Sequence, residues 1–313
     1  MDEKFNIVFM GTPEFAVPAL NALYEEGYNV SLVVTQPDRP KGRGRKIVSP
    51  PVKQEAIHLG YKVIQPKSIK TDDFYNHLKH LEPDFLVVVA FGGILSDKLL
   101  SLPRIGAINI HPSLLPKYRG PAPIQHALIN NEKETGVTIM MLDSGLDTGD
   151  ILMSQTTAIS PDDTSETLHD ILSKKGAKLL VSTLDKFQKN TVKRIPQDHS
   201  KATYAPLLKK KDGLIDWSLS SDKIAAFIRG MTPWPGAYTF NNGKRIKFFK
   251  VKPAIKNEAV APGTVLKGFS DELRISTGSE AISVLEIQGA SGKRLQISDF
   301  LKGCKIPPGT VLK

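Results

Sequence analysis

Five consecutive apolar residues, Phe85-Leu86-Val87-Val88-Val89, with Asp84 before them and Gly92-Gly93 just beyond, constrain this chain more than any other feature. A strand with no polar side must be covered on both faces, the condition of a central strand in a parallel sheet flanked by helices. The N-terminal sequence agrees with that layering. Phe5 to Met10 reads as a buried strand, Gly11-Thr12-Pro13 as a turn into a helix with Thr12 at the N-cap, and Val30 to Thr35 as a second strand, completing a βαβ unit. Helices are expected near Val52 to Leu59 and Asp72 to Leu81, with a strand at Lys62 to Ile64. Thr135 to Leu142 and Ile151 to Gln155 read as an antiparallel pair, and Thr164 caps an amphipathic helix running past Leu184. The first turn lacks the second and third glycines of a dinucleotide fingerprint, so a Rossmann-like topology is expected without an NAD site.

From Asn190 onward the chain is polar and irregular until a short helix at Asp222 to Arg229 and the proline-flanked Trp234. Short β-like runs follow at Ala237 to Phe240, Arg245 to Val251, Thr264 to Leu266, Leu273 to Ser276 and Ile282 to Ile287, separated by turn signals such as Asn242-Gly243. The expected fold class is therefore α/β: a Rossmann-like N-terminal domain with a mostly parallel sheet, plus a small C-terminal OB-like β-barrel domain. The expected division is 1–189, a linker over 190–206, and the barrel over 207–313. Charge follows it, because residues 1–205 hold 24 Lys or Arg against 23 Asp or Glu while residues 206–313 hold 18 against 9. A basic barrel is a common nucleic-acid platform, and a solvated basic face is the plainer reading of the same excess.

No apolar run approaches the roughly 18 residues that span a bilayer. The start, Met1-Asp2-Glu3-Lys4, has no basic n-region or cleavage site, and a single cysteine, Cys304, builds neither a disulfide framework nor a thiolate metal site. A cytoplasmic protein is expected. His58, His77, His80, His126, His169 and His199 show no ligand spacing, so no metal is expected either.

Chemistry concentrates at Ala107-Ile108-Asn109-Ile110-His111-Pro112. In an extended segment Asn109 and His111 emerge on one face while Ile108 and Ile110 turn to the other, and Pro112 ends the strand there. An amide beside an imidazole suits a carbonyl reaction; a hydrogen-bonded core histidine is the bland alternative. The Asp147-Thr148-Gly149-Asp150 turn follows, where an aspartate is more often a turn former than a catalyst, and Asp143 and Asp150 are the competing acids. Taken together, Asn109-x-His111, Ser113-Leu114-Leu115-Pro116 and Asp147 resemble the folate-dependent formyltransferases. The resemblance implies that Asn109, His111 and Asp147 form the catalytic set. It also implies that Phe91, Gly92, Ile94 and Leu95, with Ser113, Leu114, Leu115 and Pro116, lie around the folate, although Gly92-Gly93 can also simply turn the chain.

Pro37 to Lys46 carries five basic residues and two glycines without apolar periodicity, and reads as an exposed, mobile loop. Its Gln36-Pro37-Asp38-Arg39-Pro40-Lys41-Gly42-Arg43-Gly44 segment is similar to the corresponding loop of methionyl-tRNA formyltransferases. That resemblance implies tRNA contacts from Arg39, Lys41, Arg43 and Arg45, and a solvated insertion is the alternative. The implied activity is transfer of the formyl group of 10-formyltetrahydrofolate to the amino group of methionyl-initiator tRNA by a monomer. The proton route, through His111 or directly through Asp147, stays open. Two other readings compete: a formyltransferase for a small amine such as glycinamide ribonucleotide or an amino-sugar nucleotide, and a non-catalytic RNA-binding protein. The basic loop and the basic C-terminal third argue against a small acceptor.

Overall fold

The structure, a computed structural model, describes residues 4–41, 44, 46–267, 271–290 and 292–313, with only the backbone of Lys41. Packing divides the chain into two compact units that interleave in sequence. The first comprises Met1–Gly120, Thr135–Thr157 and His169–Tyr204; the second comprises Pro121–Glu134, Ala158–Leu168 and Ala205–Lys313.

The elements through the first 190 residues are β1 (Asn6–Gly11), α1 (Val17–Glu25), β2 (Asn29–Val34), β3 (Arg39–Lys41), β4 (Lys46–Val48), α2 (Pro51–His58), β5 (Val63–Ile64), α3 (Asp72–Lys79), β6 (Phe85–Val89), α4 (Asp97–Leu100), β7 (Gly106–His111), α5 (Pro123–Ile129), β8 (Glu134–Met141), β9 (Ile151–Ala158) and α6 (Ser165–Gln188). The large sheet of the first unit has seven strands in the order β5-β2-β1-β6-β7-β8-β9. β5, β2, β1, β6 and β7 run parallel, and β8 runs antiparallel to β7. The all-apolar β6 is central as its composition requires: Phe85, Leu86, Val87 and Val89 are wholly buried. Each such side chain contributes about 1.5–3 kcal/mol relative to exposure.

The chain winds outward from β1 through β2 to β5, then returns to β6 on the other side of β1. That reversal opens a crevice at the carboxyl ends of β1 and β6, where open α/β sheets bind ligands. The seam is tight. A Cβ on Gly11 would lie 2.9 Å from Ala16 Cβ and 3.2 Å from the Val89 carbonyl oxygen. Thr12 beside it does not cap a helix as expected. Its hydroxyl donates to the Phe91 carbonyl at 2.9 Å and accepts from Gln36 N at 3.3 Å, so the side chain is spent tying β1 to the loops after β6 and β2. A turn of 3-10 helix, Glu14–Ala16, precedes α1 instead, entered from Pro13 without a side-chain cap. Thr164 does cap α6, accepting from Thr167 N at 3.3 Å. Gly176 of that helix lets it close on the sheet, since a Cβ there would come within 2.7 Å of Ile110 Cγ2.

In the second unit α7 (Ser221–Met231), β10 (Ala237–Asn241), β11 (Lys244–Ala254), β12 (Leu273–Ser276), β13 (Ala281–Gln288), β14 (Arg294–Gln296) and α8 (Ile297–Gly303) follow in order. The strands form an antiparallel half-barrel, β10-β11-β13-β12, with β14 also paired to β13. The expected strand at Thr264 to Leu266 is reduced to single bridges, Thr264 with Val311 and Val265 with Ile275. β14 was not expected, because Arg294-Leu295-Gln296 lacks an apolar alternation. The core packs Trp217 edge-on to Phe248 at 6.0 Å between ring centres, and the Trp217 indole donates to Thr239 Oγ1 at 3.1 Å. α7 buries Ile224, Ile228 and Met231 in that core, and at Gly230 it crosses α5 so closely that a Cβ would meet Ile129 Cγ1 at 2.7 Å. Among the described residues no helix is long and apolar enough to cross a membrane.

Candidate functional site

β7 ends in Asn109-Ile110-His111, and both polar residues leave the same face of the strand. Asn109 pairs with Val88 of β6 and Met140 of β8, and His111 pairs with Thr138. Beyond β6 the chain turns sharply, with Ala90 at φ +47° and Gly92 at φ +82°. The left-handed turn throws the Phe91–Leu95 loop outward over the strand end.

A cavity of about 210 Å³ opens there. One wall is Val88, Ala90, Phe91, Gly93, Ile94 and Leu95; the other is the Leu142–Asp147 loop; Asn109 lies between them. Most of the lining is apolar or backbone, and Ile94 is 84% exposed, a large aliphatic side chain left for a ligand to cover. Of the residues expected around the folate, Phe91, Ile94 and Leu95 line this cavity and Gly92 is the turn beside it. Ser113, Leu114, Leu115 and Pro116 do not line it. They form a packed turn in which Ser113 Oγ donates to the Lys117 carbonyl at 2.6 Å, while Thr138 Oγ1 donates to the Ser113 carbonyl at 2.7 Å and accepts from Leu115 N at 3.3 Å. The Leu115–Pro116 peptide is cis.

His111 is 4% exposed and sits behind the cavity wall. Its Nε2 lies 2.9 Å from the Tyr118 carbonyl oxygen, an acceptor only, so this nitrogen carries the proton. The other ring nitrogen, Nδ1, faces Asp147 Oδ2 at 3.6 Å. A neutral His111 therefore turns a bare nitrogen lone pair toward a carboxylate. One additional proton, on either partner, converts that repulsion into an attraction.

Asp147 adopts φ +52°, a left-handed conformation that costs a non-glycine residue on the order of 1–2 kcal/mol. What holds it there was not foreseen from the sequence. Oδ2 accepts from Gly120 N at 2.8 Å. The Asp147 and Gly149 carbonyls accept from Gln197 Nε2 at 2.9 and 2.7 Å. Gln197 Oε1 in turn accepts from Arg119 Nε at 3.1 Å and from a terminal nitrogen of Arg119 at 2.6 Å. Gln197 comes from a polar, irregular stretch expected to cross the surface, yet it is 6% exposed, and Arg119 is 2% exposed. Gly149 completes the turn, since a Cβ there would lie 2.0 Å from the Met141 carbonyl oxygen.

The basic segment after β2, expected as an exposed, mobile loop, is paired where it is described. Arg39–Lys41 and Lys46–Val48 pair as a small antiparallel hairpin, a structure that charge and glycine hide because no alternating apolar residues mark it. Its base is anchored by Asp38, whose carboxylate accepts from Lys53 Nζ at 2.8 Å, Gln65 Nε2 at 2.7 Å and Ser49 Oγ at 3.2 Å. The Lys53 ammonium, with the Gln65 amide, holds the Asp38 carboxyl below its ordinary range. Arg39 reaches Gln36 Oε1 at 3.3 Å. Arg43 and Arg45, and the side chain of Lys41, lie outside the described residues. Among the described residues no group of three His, Cys, Asp or Glu side chains is arranged to hold a metal ion.

The chain has known relatives. Residues 4–184 match the family described as formyl transferase, and residues 207–305 match the formyl transferase C-terminal domain. Methionyl-tRNA formyltransferases of Caldanaerobacter subterraneus subsp. tengcongensis and Geobacter metallireducens are each 49% identical to this chain; the first matches 98% of this chain and 99% of its own length, the second 97% of each. Among solved structures, an N-formyltransferase from Helicobacter canadensis in complex with folinic acid and dTDP-3-aminofucose superposes with a TM-score of 0.67 at 20% identity, covering 92% of this chain and 99% of that one. A methionyl-tRNA formyltransferase from Clostridium thermocellum gives 0.56 at 17% identity, covering 87% and 99%. HypX from Aquifex aeolicus in complex with tetrahydrofolic acid gives 0.62 at 17% identity over 98% of this chain, which spans about half (49%) of HypX. At these identities the structures speak to the fold alone.

Proposed function

Because the chain belongs to the formyl transferase family, we propose that it transfers the formyl group of 10-formyltetrahydrofolate to the free amino group of methionine esterified to initiator tRNA. The observation that carries this reading at the site is the meeting of Asn109 and Asp147 at one cavity, with His111 behind Asp147. Identity to methionyl-tRNA formyltransferases along nearly the whole chain selects the acceptor.

When bound, the donor supplies a formyl carbon on a nitrogen leaving group. The apolar cavity between Phe91–Leu95 and Leu142–Asp147 accepts a flat heterocycle, with the backbone of the second loop available for its polar edge. Asn109 donates to the formyl oxygen as negative charge gathers there, a contribution of about 3 kcal/mol for a well-aimed donor. As the bond from the formyl carbon to the folate nitrogen breaks, the attacking amine must shed a proton and the departing nitrogen must take one up. Asp147 on the wall receives the amine's proton and His111 Nδ1 behind shares it, since the pair is electrostatically satisfied by one proton more than it holds when neutral His111 faces ionised Asp147. The proton held between Asp147 and His111 is then handed on to the departing nitrogen. The Tyr118 carbonyl keeps the ring oriented throughout.

Arg39, Lys41, Arg43 and Arg45 belong in this reading to a basic arm that meets the tRNA backbone, and the charged C-terminal third supplies further phosphate contacts. Ser113 to Pro116 support the folate site from behind its wall. The protein works as a cytoplasmic monomer, with residues 1–189 catalytic and 207–313 binding tRNA across the 190–206 connection.

The test is an incubation of purified protein with 10-formyltetrahydrofolate and, in parallel tubes, methionyl-initiator tRNA, glycinamide ribonucleotide or buffer. Formylation of the charged tRNA alone is expected. Formylation of the small amine would overturn the acceptor, and an intact donor in every tube would overturn the reaction.

A further inference from the structure

We infer that Gln197, oriented by the buried Arg119, is a positioning residue for Asp147; this inference rests on the formyl-transfer reading of the site. Four hydrogen bonds define its amide completely. Arginine can only donate, so the two bonds from Arg119 at 3.1 and 2.6 Å fix which end of the amide is oxygen. The amide nitrogen then has two protons, and two carbonyls receive them: Asp147 at 2.9 Å and Gly149 at 2.7 Å. No donor or acceptor of Gln197 is left over.

The arrangement is directional. A cation pulls on the amide oxygen, and the polarised amide nitrogen pulls on the backbone that carries the catalytic carboxylate. Arg119 itself is anchored from the chain at its other side, its backbone nitrogen donating to the Thr203 carbonyl at 2.8 Å and a guanidinium nitrogen lying 3.2 Å from His199 Nδ1. Asp147 stands at φ +52°, and its Oδ2 lies 2.8 Å from Gly120 N and 3.6 Å from His111 Nδ1. The carboxylate itself accepts one hydrogen bond, from Gly120 N, 27 residues away in sequence. The backbone it hangs from is held across 50 residues of sequence by Gln197 alone among the described side-chain hydrogen bonds. A relaxed turn at Asp147 moves the carboxylate relative to Nδ1, and a misplacement of about 1 Å at a reacting group costs on the order of 100-fold in rate.

A structural role for Gln197 and a positioning role part company in Gln197→Glu. The carboxylate still takes the Arg119 fork, now as an ion pair, but it cannot donate to the Asp147 and Gly149 carbonyls. The expected result is a protein that still folds, with a melting temperature lowered by the two carbonyls left without a donor, a KM for 10-formyltetrahydrofolate within about 2-fold, and a kcat for methionyl-tRNA formylation reduced about 10-fold or more. In an Asp147→Asn background the same change should cost less than about 2-fold, because the residue it positions is already disabled. A folded Gln197→Glu protein with wild-type kcat overturns the inference, as does a loss in the Asp147→Asn background as large as in the native one. Arg119→Lys is the second probe if the first variant does not fold. One ammonium replacing two converging donors should lower kcat about 3- to 10-fold at unchanged KM, and an unchanged kcat again overturns the inference. A wild-type enzyme that formylates no methionyl-tRNA fails at the earlier reading instead, and is recognised by that control before any variant is compared.

Discussion

At the scale of single residues, the site separates chemistry from support in a way that substitution can expose. His111→Gln retains a donor for the Tyr118 carbonyl but cannot share a proton with Asp147, so kcat should fall about 100- to 10,000-fold with tRNA affinity and melting temperature nearly unchanged. Formylation kinetics together with a tRNA binding isotherm check this; full turnover would remove His111 from the proton path. Gly149→Ala drives a methyl into the Met141 carbonyl and should destabilise the fold by about 2 kcal/mol or more, read as a drop in denaturation midpoint. Asn109 and His111 were legible because strand alternation and a terminating proline place them on one face whatever surrounds them. Asp147 was legible only through resemblance, since its left-handed backbone is set by contacts far along the chain. Gln197 was invisible: a glutamine between Pro196 and Asp198 carries no local sign that its amide will be buried against Arg119.

Among the elements, those with an apolar pattern of their own matched their sequence reading: β6 is buried throughout, and α6 buries Leu168, Leu172, Leu179, Leu180 and Leu184, although Ile171, expected on the same face, stays 37% exposed. The basic hairpin and β14 escaped because their pairing is specified by partners and not by alternation. The hairpin is attached through Asp38, so Asp38→Ala should raise the KM for methionyl-tRNA about 3- to 10-fold while leaving the KM for the folate donor unchanged, a split that steady-state kinetics in each substrate resolves. The anchor also has a pH signature. Lys53 depresses the Asp38 carboxyl in the folded protein, so the anchor's contribution is fully present above the ordinary aspartate value near pH ~4 and is lost only as pH falls through the lower folded value. Protease nicking of the hairpin should therefore be the same from neutral pH down to about 5 in wild type, and already elevated at neutral pH in Asp38→Ala. Nicking that rises in wild type as pH falls from 7 to 5 would contradict the assignment.

Across the whole molecule, charge and packing follow different boundaries. The basic excess begins near residue 206, whereas the second packing unit also takes in Pro121–Glu134 and Ala158–Leu168. Removing residues 206–313 would strip α7 from α5 and uncover Ala122 and Ile129, which pack against the core of the second unit. Such a fragment should aggregate, which light scattering reads directly; a soluble, cooperatively melting fragment 1–205 would contradict the packing described for the second unit. The electrostatic contribution is better tested in the intact chain. Replacing Lys244 and Lys293, which line one cavity on a face of the second unit, together by Glu should weaken tRNA binding and flatten its dependence on salt, by roughly one unit of slope for each phosphate no longer neutralised. A slope equal to wild type would mean that this face touches no phosphate. The interleaving has one more consequence, and it concerns the order in which the protein comes into being. α5 leaves the ribosome with its apolar residues uncovered, because the helix that packs on it, α7, begins only at Ser221. At synthesis rates of about 5–20 residues per second the nascent chain carries that uncovered face for roughly 5–20 seconds, long enough for a chaperone to meet it at every round of translation.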